Sequence, residues 1–576
     1  MFRRSPQILV ALAVVLLAAP SAQADRSTTH LLSLTPAGTL PNGPSFDPAI
    51  SKDRQVATLA AFDSFATDLV PGDVNGDRDV FVVHRGQPFD PNAKVGTPWI
   101  PGQTDLVSIG MGGQPANGDS WAPNLDGDQR HSPHCVAFLS AATNLVPNDT
   151  NGRVDAFVKD LATGQITDVS LNSQGLQANG DTFDVKIDGA CDRVAFTSDA
   201  TNLALTVAPK PIALKACPSA KRHGKGKKRK KKKPACRPRR VPSLAAAGLT
   251  TAPQPGTKQV YVRVLGASQA DDAGLAGVTF LASASAGGQA GNGNSYDVSF
   301  SKLSAGCPAH CGSQSGDAVA FTSEATNLAP GDGNGLRDVY ERSFSVPTLT
   351  YLQVRAGVQA RMQMKTRLVS ATRDGQAGNG ASDQPSVDDA GDLVAYRTAA
   401  TNLLSGDTNG VTDVALAHMT SDPPTQEWVS RTAPTNAIGN APSSNPDVSR
   451  PGSPLVFQTD ADNLTTSDWN CVSDILFWNF LDHRAVLTSS DSNARPSGNT
   501  AAGLVCPAHH TSPATHPATS YYANYTAFED GNPLIDLPVA DASFPGLRYD
   551  LDRAYQMATS DPNLHQVYIH YTSTSK

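Results

Sequence analysis

One unit of sequence recurs seven times along this 576-residue chain and constrains its fold more than any other feature. Its clearest copy, residues 316–344, reads as a Gly-Asp turn, an apolar strand at Ala318–Phe321, a polar link ending in Asn327-Leu328, an Asn-Gly turn, and a second strand that opens at Asp338. An Asn-Gly pair between apolar runs is the strongest short signal for a β-hairpin. The repeat therefore predicts short strands at regular intervals.

A second marker gives the same number of units. Each copy follows a Gly/Asn turn: Asn42-Gly43, Asn117-Gly118, Asn179-Gly180, Asn292-Gly293, Asn379-Gly380, Gly439-Asn440 and Gly498-Asn499. Further strands flank these turns, such as Arg367–Ala371 before one and Tyr296–Phe300 after another. The 47 glycines and 42 prolines suit many turns and argue against long helices. Seven units of four strands predict an all-β fold, a seven-bladed β-propeller of four-stranded blades.

The two ends of the repeat region complement each other. The first strand, predicted at Leu31–Leu34, matches the last strand of a unit, and His565–Tyr571 matches the third. We therefore expect the N-terminal strand to complete the last blade and close the ring. A linear β-solenoid is the structural alternative, but it needs no such complementary ends.

Residues 1–24 read as a secretory signal peptide. Arg3 and Arg4 open it, Ile8–Ala19 is an apolar run of 12 residues, and Ala22-Gln23-Ala24 is a small-residue cleavage site. Twelve apolar residues are too few to cross a bilayer, which needs about 20. We expect a propeller domain at 25–576 without a transmembrane segment, secreted or located in the periplasmic or cell-envelope space.

The repeated strands follow the forms DG-x-x-VAF-x-S and D-x-F-V-x-D and resemble the WD40-like PD40 repeats of TolB-type propellers. The resemblance covers nearly all of residues 25–576 and implies a propeller. TolB-type proteins of the Tol–Pal envelope system also carry an N-terminal α/β domain. Strand-like repeats begin so soon after the predicted cleavage site that we expect this domain to be absent, so the resemblance does not extend to a Tol–Pal role.

Eight cysteines in an exported chain indicate disulfides. The plausible pairings are Cys217 with Cys236, Cys307 with Cys311, and Cys471 with Cys506. Cys135 and Cys191 lie at comparable places in neighbouring repeats and either pair or stay free. The Cys307 and Cys506 groups also contain histidines, but they lack the spaced second ligand pair of a zinc signature.

A strongly basic insertion, residues 205–257, interrupts the third unit. Residues 221–240 hold 13 of the 46 Lys and Arg residues, which leaves 33 against 53 acidic residues in the rest of the chain. Its densest run is Lys227, Lys228, Arg229, Lys230, Lys231, Lys232 and Lys233. We expect a disordered loop that binds an anionic polymer or surface. Export argues against nucleic acid as its partner, and the alternative is a solvated loop without a dedicated partner.

Four copies of an Asp-x-Asn-x-x-x-Asp motif contain the candidate metal ligands. They are Asp73, Asn75, Asp77 and Asp79; Asp149, Asn151 and Asp155; Asp332, Asn334 and Asp338; and Asp407, Asn409 and Asp413. Oxygen ligands at alternate positions around a Gly turn are typical of calcium loops, and calcium is the one cofactor that the sequence suggests. The structural alternative, which we favour, is an Asx turn that every blade needs.

No catalytic motif stands out, so the sequence predicts an exported, non-enzymatic propeller that serves as a binding or interaction scaffold. Its expected partners are a protein or polysaccharide at the cell envelope. The alternative is a propeller-type hydrolase or lyase acting on an extracellular polymer. Carboxylates and histidine around one mouth of the channel would favour the enzyme, and an uncharged Ser/Thr-lined channel would favour the scaffold.

Overall fold

Within the described residues, twenty-eight short strands form seven four-stranded antiparallel sheets in the computed structural model. The structure describes residues 28–53, 56–86, 99–128, 130–203, 249–266, 276–302, 317–345, 363–432, 437–449, 455–465, 473–480, 483–489, 515–519, 525–530 and 566–571. The first strand of each sheet contacts the first strands of both neighbouring sheets, and those of the first and last sheets contact each other. The predicted seven-bladed β-propeller is confirmed.

The strands run in chain order from the channel outwards within each of the first six blades. Blade 1 comprises β2 (Ser45–Ile50), β3 (Leu59–Ser64), β4 (Asp79–Arg85) and β5 (Pro101–Leu106). Blade 2 comprises β6 (Ser120–Leu125), β7 (Cys135–Ser140), β8 (Asp155–Asp160) and β9 (Ile166–Asp168). Blade 3 comprises β10 (Thr182–Ile187), β11 (Arg193–Ser198), β12 (Gln259–Val264) and β13 (Thr279–Leu281).

The second half of the ring follows the same order. Blade 4 comprises β14 (Ser295–Phe300), β15 (Asp317–Ser323), β16 (Asp338–Ser345) and β17 (Gln363–Leu368). Blade 5 comprises β18 (Ser382–Val387), β19 (Leu393–Thr398), β20 (Asp413–His418) and β21 (Thr425–Trp428). Blade 6 comprises β22 (Ser443–Val448), β23 (Leu455–Thr459), β24 (Asp474–Asn479) and β25 (Arg484–Leu487). A short 3-10 helix spans Met111–Gly113. Among the described residues, no helix is long and apolar enough to cross a membrane.

Blade 7 closes the ring by joining the two ends of the described chain. It comprises β26 (Thr515–Thr519), β27 (Tyr525–Asp530), β28 (Gln566–Tyr571) and β1 (Thr28–Leu31). The N-terminal strand β1 pairs antiparallel with β28 and forms the outer edge of the sheet. This closure is confirmed, although the strand begins three residues before the predicted Leu31–Leu34.

Stacked aromatic rings join the second and third strands in five blades. The pairs, with centroid distances, are Phe62–Phe81 (5.7 Å), Phe138–Phe157 (5.8 Å), Phe196–Tyr261 (5.7 Å), Phe321–Tyr340 (6.0 Å) and Phe528–Tyr568 (6.0 Å). They lie directly opposite each other across the strand pair and are buried. Each such pair stabilises the fold by about 0.5–1.5 kcal/mol beyond its buried area. The repeated Phe of the sequence unit is therefore a core residue.

The two sequence markers of the repeat bind each other. In blade 2, Asn117 Nδ2 donates to Thr143 Oγ1 at 3.0 Å, and the Thr143 N–H donates to Asn117 Oδ1 at 2.8 Å. The Asn117 N–H also donates to Asn144 Oδ1 at 3.1 Å. Equivalent bonds recur at Asn42, Asn179, Asn292, Asn379 and Asn440. This clamp fixes the start of each innermost strand against the loop that follows the second strand.

Each innermost strand carries a β-bulge. Six of the strands have a non-glycine residue with positive φ there: Asp47, Ala122, Asp297, Gln384, Asn445 and His516. A bulge takes backbone N–H groups out of their own ladder. Neighbouring blades accept them: the Asp47 N–H donates to Glu529 Oε1 at 2.7 Å. Likewise, the Ala122 N–H donates to Asp63 Oδ2 at 3.0 Å. The bulges thus hold adjacent blades together.

The far ends of three innermost strands meet backbone to backbone. The Gly127 N–H donates to the Gly189 carbonyl at 3.0 Å, and the Gly189 N–H donates to the Lys302 carbonyl at 3.0 Å. A Cβ at Gly189 would overlap the Lys302 carbonyl and lie 2.6 Å from the Asp128 Cβ. Glycine is therefore required for blades 2, 3 and 4 to approach this closely, and their junction narrows one end of the channel.

The approach of these blades can be tested with Gly189→Ala. The added Cβ must push apart backbone groups that cannot rotate away, and overpacking of this kind costs about 1–3 kcal/mol. We expect a lower melting temperature than that of the parent chain. The control is Gly333→Ala, where a Cβ meets no atom within 4 Å. Equal melting temperatures for the two variants would contradict the proposed contact.

Candidate functional site

The Asp-x-Asn-x-x-x-Asp motif forms a buried hydrogen-bond network in the structure. In blade 4, Asn334 Nδ2 donates to Asp338 Oδ2 at 2.7 Å and to the Gly378 carbonyl at 2.9 Å. The other oxygen, Asp338 Oδ1, accepts from Ser370 Oγ at 2.7 Å. The same Asn–Asp–Ser contacts occur at Asn75, Asp79 and Ser108, at Asn151, Asp155 and Ser170, and at Asn409, Asp413 and Ser430. Contacts of this kind are expected if the motif is a structural turn of each blade, the alternative to a calcium loop.

The remaining motif residues have varied surroundings. Asp149 accepts from Gln177 Nε2 at 3.1 Å, Asp407 accepts from the Asn409 N–H at 3.4 Å, and Asp332 accepts from the Tyr340 hydroxyl. Asn75 Oδ1 accepts from the Asp77 N–H at 3.2 Å. Burial raises the pKa of Asp79 to about 6 and that of Asp155 to about 7. Calcium binding by these motif residues stays a prediction.

Several predicted sites lie outside the described residues. These are the signal peptide, the basic run Lys227–Lys233, and the pairs Cys217–Cys236, Cys307–Cys311 and Cys471–Cys506. The anionic partner, the localisation and these disulfides therefore stay predictions.

Cys135 and Cys191 form a disulfide between blades 2 and 3, with Cα atoms 6.1 Å apart. The sequence left open whether these two cysteines pair or stay free, and in the structure they are paired. His134 precedes Cys135, and its Nδ1 lies 2.9 Å from Oδ2 of the buried Asp126. The hydrogen bond to Asp126 raises the pKa of His134 to about 9 against the opposing effect of burial. A protonated His134 therefore pairs with Asp126 beside the disulfide.

The innermost strands line a central cavity of about 530 Å³. At the bulge level they contribute the mouth ring: Asp47, Ala122, Asp184, Asp297, Gln384, Asn445 and His516. Two residues further along they contribute the middle ring: Ala49, Asn124, Lys186, Ser299, Ser386, Asp447 and Ala518. Five residues beyond the bulge lie the base residues: Lys52, Gly127, Gly189, Lys302 and Asp389. The channel is thus charged along its length.

The mouth ring is acidic and open. Its His516 side chain is 57% exposed, and its carboxylates are Asp47, Asp184 and Asp297. Burial, followed by the charge of Asp184, raises the pKa of Asp297. Lys186 of the middle ring lies 3.3 Å from Asp184 and offsets part of this negative charge.

The base residues at the other end include two lysines whose ammonium groups are already bonded to protein acceptors. Lys302, only 7% exposed, donates from Nζ to Asn124 Oδ1 at 3.0 Å, to the Leu125 carbonyl at 2.8 Å and to the Ile187 carbonyl at 2.5 Å. These acceptors use all three ammonium hydrogens. Burial lowers the pKa of Lys302 to about 7, with Lys52 adding to the effect.

Asp389 is the most deeply buried charge at the base, with 1% exposure. Neither of its carboxylate oxygens has a hydrogen-bond donor among the residues that the structure describes. Burial raises its pKa well above the usual range, an effect that the charge of Lys52 opposes. Lys52 in turn donates to Asp447 Oδ1 at 3.3 Å and to the Val448 carbonyl at 3.1 Å.

Two groups of described side chains could hold a metal ion. One consists of Asp126, His134, Cys135 and Cys191 around the disulfide. The other lies at the mouth ring and consists of Asp47, His516 and Glu529. In the second group, the Asp47 carboxylate already pairs with Arg78 at 3.0 Å, and His516 Nδ1 lies 3.2 Å from Glu529 Oε2.

The channel residues form no local motif in the sequence, because they belong to seven distant segments. A usable signal was present: Asp47, Asp184 and Asp297 each follow the Gly of an Asn-Gly turn by four residues. A charged residue at a fixed offset inside a strand-like segment indicates a common surface in a repeat protein, and here that surface is the channel.

Comparisons with known proteins find distant likeness to solved structures. No family model and no curated protein sequence matches the chain. An acylaminoacyl peptidase from Pyrococcus horikoshii is 8% identical at a TM-score of 0.37, with 85% of this chain and 49% of that one covered. A prolyl endopeptidase is 10% identical at a TM-score of 0.34, over 85% and 45% of the two chains. A putative TolB from Agrobacterium tumefaciens is 10% identical at a TM-score of 0.29, over 67% and 83%.

This chain spans about half the length of the peptidases that it matches. The predicted TolB-type propeller is confirmed as a fold. Likeness at this identity carries neither peptidase activity nor a Tol–Pal role to the chain.

The prediction of a non-enzymatic scaffold is wrong as it stands, because the solved structures reported above include propeller-containing peptidases, which are enzymes. Export stays a prediction. The channel agrees with this correction, because carboxylates and a histidine surround its mouth instead of an uncharged Ser/Thr lining. The polymer-acting hydrolase or lyase gains no support from a shared fold.

The motif network can be tested by removing the Asn side chain. Asn334→Ala leaves the buried Asp338 Oδ2 without its donor, and an unsatisfied buried acceptor costs about 1–3 kcal/mol. We expect the melting temperature to fall below that of the parent, and the decrease to be the same in chelator and in millimolar calcium. Leu336→Ala, an exposed change in the same loop, should leave the melting temperature unchanged. A calcium-dependent rise in the parent that Asn334→Ala abolishes would instead establish a metal site.

The ion pair between His134 and Asp126 makes stability depend on pH. Because the folded pKa of His134 is raised to about 9, its contribution is complete below the unfolded value of about 6.5. It is lost as the pH rises through about 9. The melting temperature of the parent should therefore fall, relative to that of His134→Gln, as the pH rises from about 6.5 through about 9. A pH-independent difference between the two chains would contradict the ion pair with Asp126.

Proposed function

We propose that the protein binds a small organic cation, a substrate or ligand bearing an amine, in the mouth ring of its central channel. The observation that carries this proposal is the separation of charge along the channel. Carboxylates occupy the open mouth, while the lysines of the base have their ammonium groups bonded to protein acceptors. A bound cation would relieve the repulsion between the carboxylates of Asp184 and Asp297.

The size of the cavity and the positions of the carboxylates favour a molecule over a bare metal ion. A cavity of about 530 Å³ lies within the range of small-molecule pockets. Asp184 and Asp297 belong to neighbouring blades and to neither candidate metal group among the described residues. Asp184 is held in place because it accepts from the Val185 N–H at 2.8 Å and from the Val298 N–H at 2.8 Å. The mouth is therefore a preformed anionic site.

A matched series of ligands tests the charge requirement. In calorimetric titrations of the full chain with 1,4-diaminobutane, 1,4-butanediol and succinate, we expect saturable binding of the diamine alone. Binding should weaken as the salt concentration rises, because screening reduces attraction between partly exposed charges. Equal binding of the diol, or no binding of the diamine, would overturn the proposal.

A matched pair of variants tests the location. Asp297→Asn keeps the shape of the side chain and an acceptor for Thr322 Oγ1, which lies 3.2 Å from Oδ2. It removes one charge from the mouth ring, and a hydrogen bond to a charged group is worth about 1.5–3 kcal/mol. We expect diamine binding to weaken about tenfold or more. Asp374→Asn makes the same charge change at an exposed turn and should leave binding unchanged.

A further inference from the structure

The turn that carries Cys191 is unusual for a non-glycine residue. Blade 3 turns through Asp188-Gly189-Ala190-Cys191-Asp192, and blade 5 turns through Asp388-Asp389-Ala390-Gly391-Asp392. The two turns are equivalent, because in each the last Asp N–H donates to the first Asp Oδ1 at 2.8 Å. Cys191 has a φ of 58° where Gly391 has a φ of 73°.

The left-handed conformation costs a non-glycine residue about 1–2 kcal/mol. Glycine would avoid that cost at position 191, as it does in blade 5. A residue held in an unfavourable conformation indicates a role for its side chain. At Cys191 the side chain is in use, because its sulfur atom forms the disulfide with Cys135.

The disulfide accounts for the positions of the two sulfur atoms but not for the presence of Asp126 and His134 beside them. Asp126 Oδ1 accepts from the His134 N–H at 2.8 Å and from the Cys135 N–H at 2.9 Å, and so fixes the backbone of both. The second oxygen, Asp126 Oδ2, faces the His134 ring nitrogen at 2.9 Å. One ligand atom from each of Asp126, His134, Cys135 and Cys191 lies within 4.8 Å of the others.

This set has the composition of a closed structural zinc site. Zinc takes four ligands in a tetrahedron from thiolate, imidazole and carboxylate groups, with zinc–sulfur bonds of about 2.3 Å. Two thiolates on one zinc ion are therefore about 3.8 Å apart. Once the disulfide is broken, the sulfur atoms need to separate only to that distance. Asp126 and Cys135 are buried, while the half-exposed His134 provides a route of entry.

We propose that the reduced protein binds one zinc ion between blades 2 and 3 through Cys135 Sγ, Cys191 Sγ, His134 Nδ1 and Asp126 Oδ2. A dithiol reductant breaks the sulfur–sulfur bond, gives its two hydrogens to the protein sulfurs and becomes a cyclic disulfide. Zinc then displaces one proton from each thiol and one from the His134 ring. The two blades are cross-linked in both states, by a disulfide when oxidised and by zinc when reduced.

Zinc content measured on the full chain tests this site. The protein is reduced with dithiothreitol, freed of reductant by anaerobic gel filtration, equilibrated with zinc sulfate, desalted and analysed for metal. The key variant is Cys191→Gly, which suits the left-handed turn and so should fold. We expect the reduced parent to retain one zinc equivalent more than reduced Cys191→Gly, whatever the other cysteines bind. Equal zinc content in the two reduced chains would overturn the proposal.

A second variant isolates the histidine. His134→Asn keeps both thiols. We expect its reduced form to lose the additional zinc to a chromophoric chelator at a concentration at least about tenfold below the one that the reduced parent requires. Cobalt in place of zinc should give the absorption of thiolate coordination in the reduced parent and not in Cys191→Gly. Unchanged competition in His134→Asn would remove the histidine from the site, and identical cobalt spectra in the parent and Cys191→Gly would overturn the site itself.

Discussion

The β-bulge on the innermost strand of each blade is the feature on which both the ring and the channel depend. It releases backbone N–H groups from their own sheet, and side chains of adjacent blades accept them, as Glu529 does for Asp47 and Asp63 does for Ala122. The same bulge positions supply the residues of the mouth ring. One local departure from ideal strand geometry therefore joins the blades and also lines the cavity.

The blade could be predicted from the sequence because its signals are local and repeated. Asn117 and Asn144, two separate markers in the sequence, bond to each other in the structure. The limits of the outer strands were less predictable: Arg367–Ala371 was expected, and Gln363–Leu368 is observed. Val369 is buried where the chain leaves the sheet towards the next blade. Its N–H still donates to the Val339 carbonyl of the neighbouring strand at 2.8 Å, so burial and backbone bonding both continue one residue past the end of the strand.

The candidate sites were less predictable, for two physical reasons. The channel brings together residues from opposite ends of the chain, such as Asp47 and His516, and no local spacing encodes that meeting. The Asp-x-Asn-x-x-x-Asp motif has the opposite problem, because a calcium loop and a buried turn use the same residues at the same spacing. In the structure the Asn75 amide nitrogen donates to Asp79, as the buried turn requires, and the calcium loop stays a prediction.

The two ends of the channel are held in different ways, and the difference explains why the mouth can remain open. Lys302 of blade 4 bonds to the backbone of blades 2 and 3, and Lys52 of blade 1 bonds to blade 6. Two of these contacts, from blade 4 to blade 2 and from blade 1 to blade 6, join blades that are not neighbours, and all of them hold the ring from inside. Asp389 lies buried among these charges, so loss of either lysine would leave a buried carboxylate with less compensation. The mouth ring is held by links between neighbouring blades, as where Asp184 accepts from the Val298 N–H, and its Asp47 and Asp184 side chains remain partly exposed.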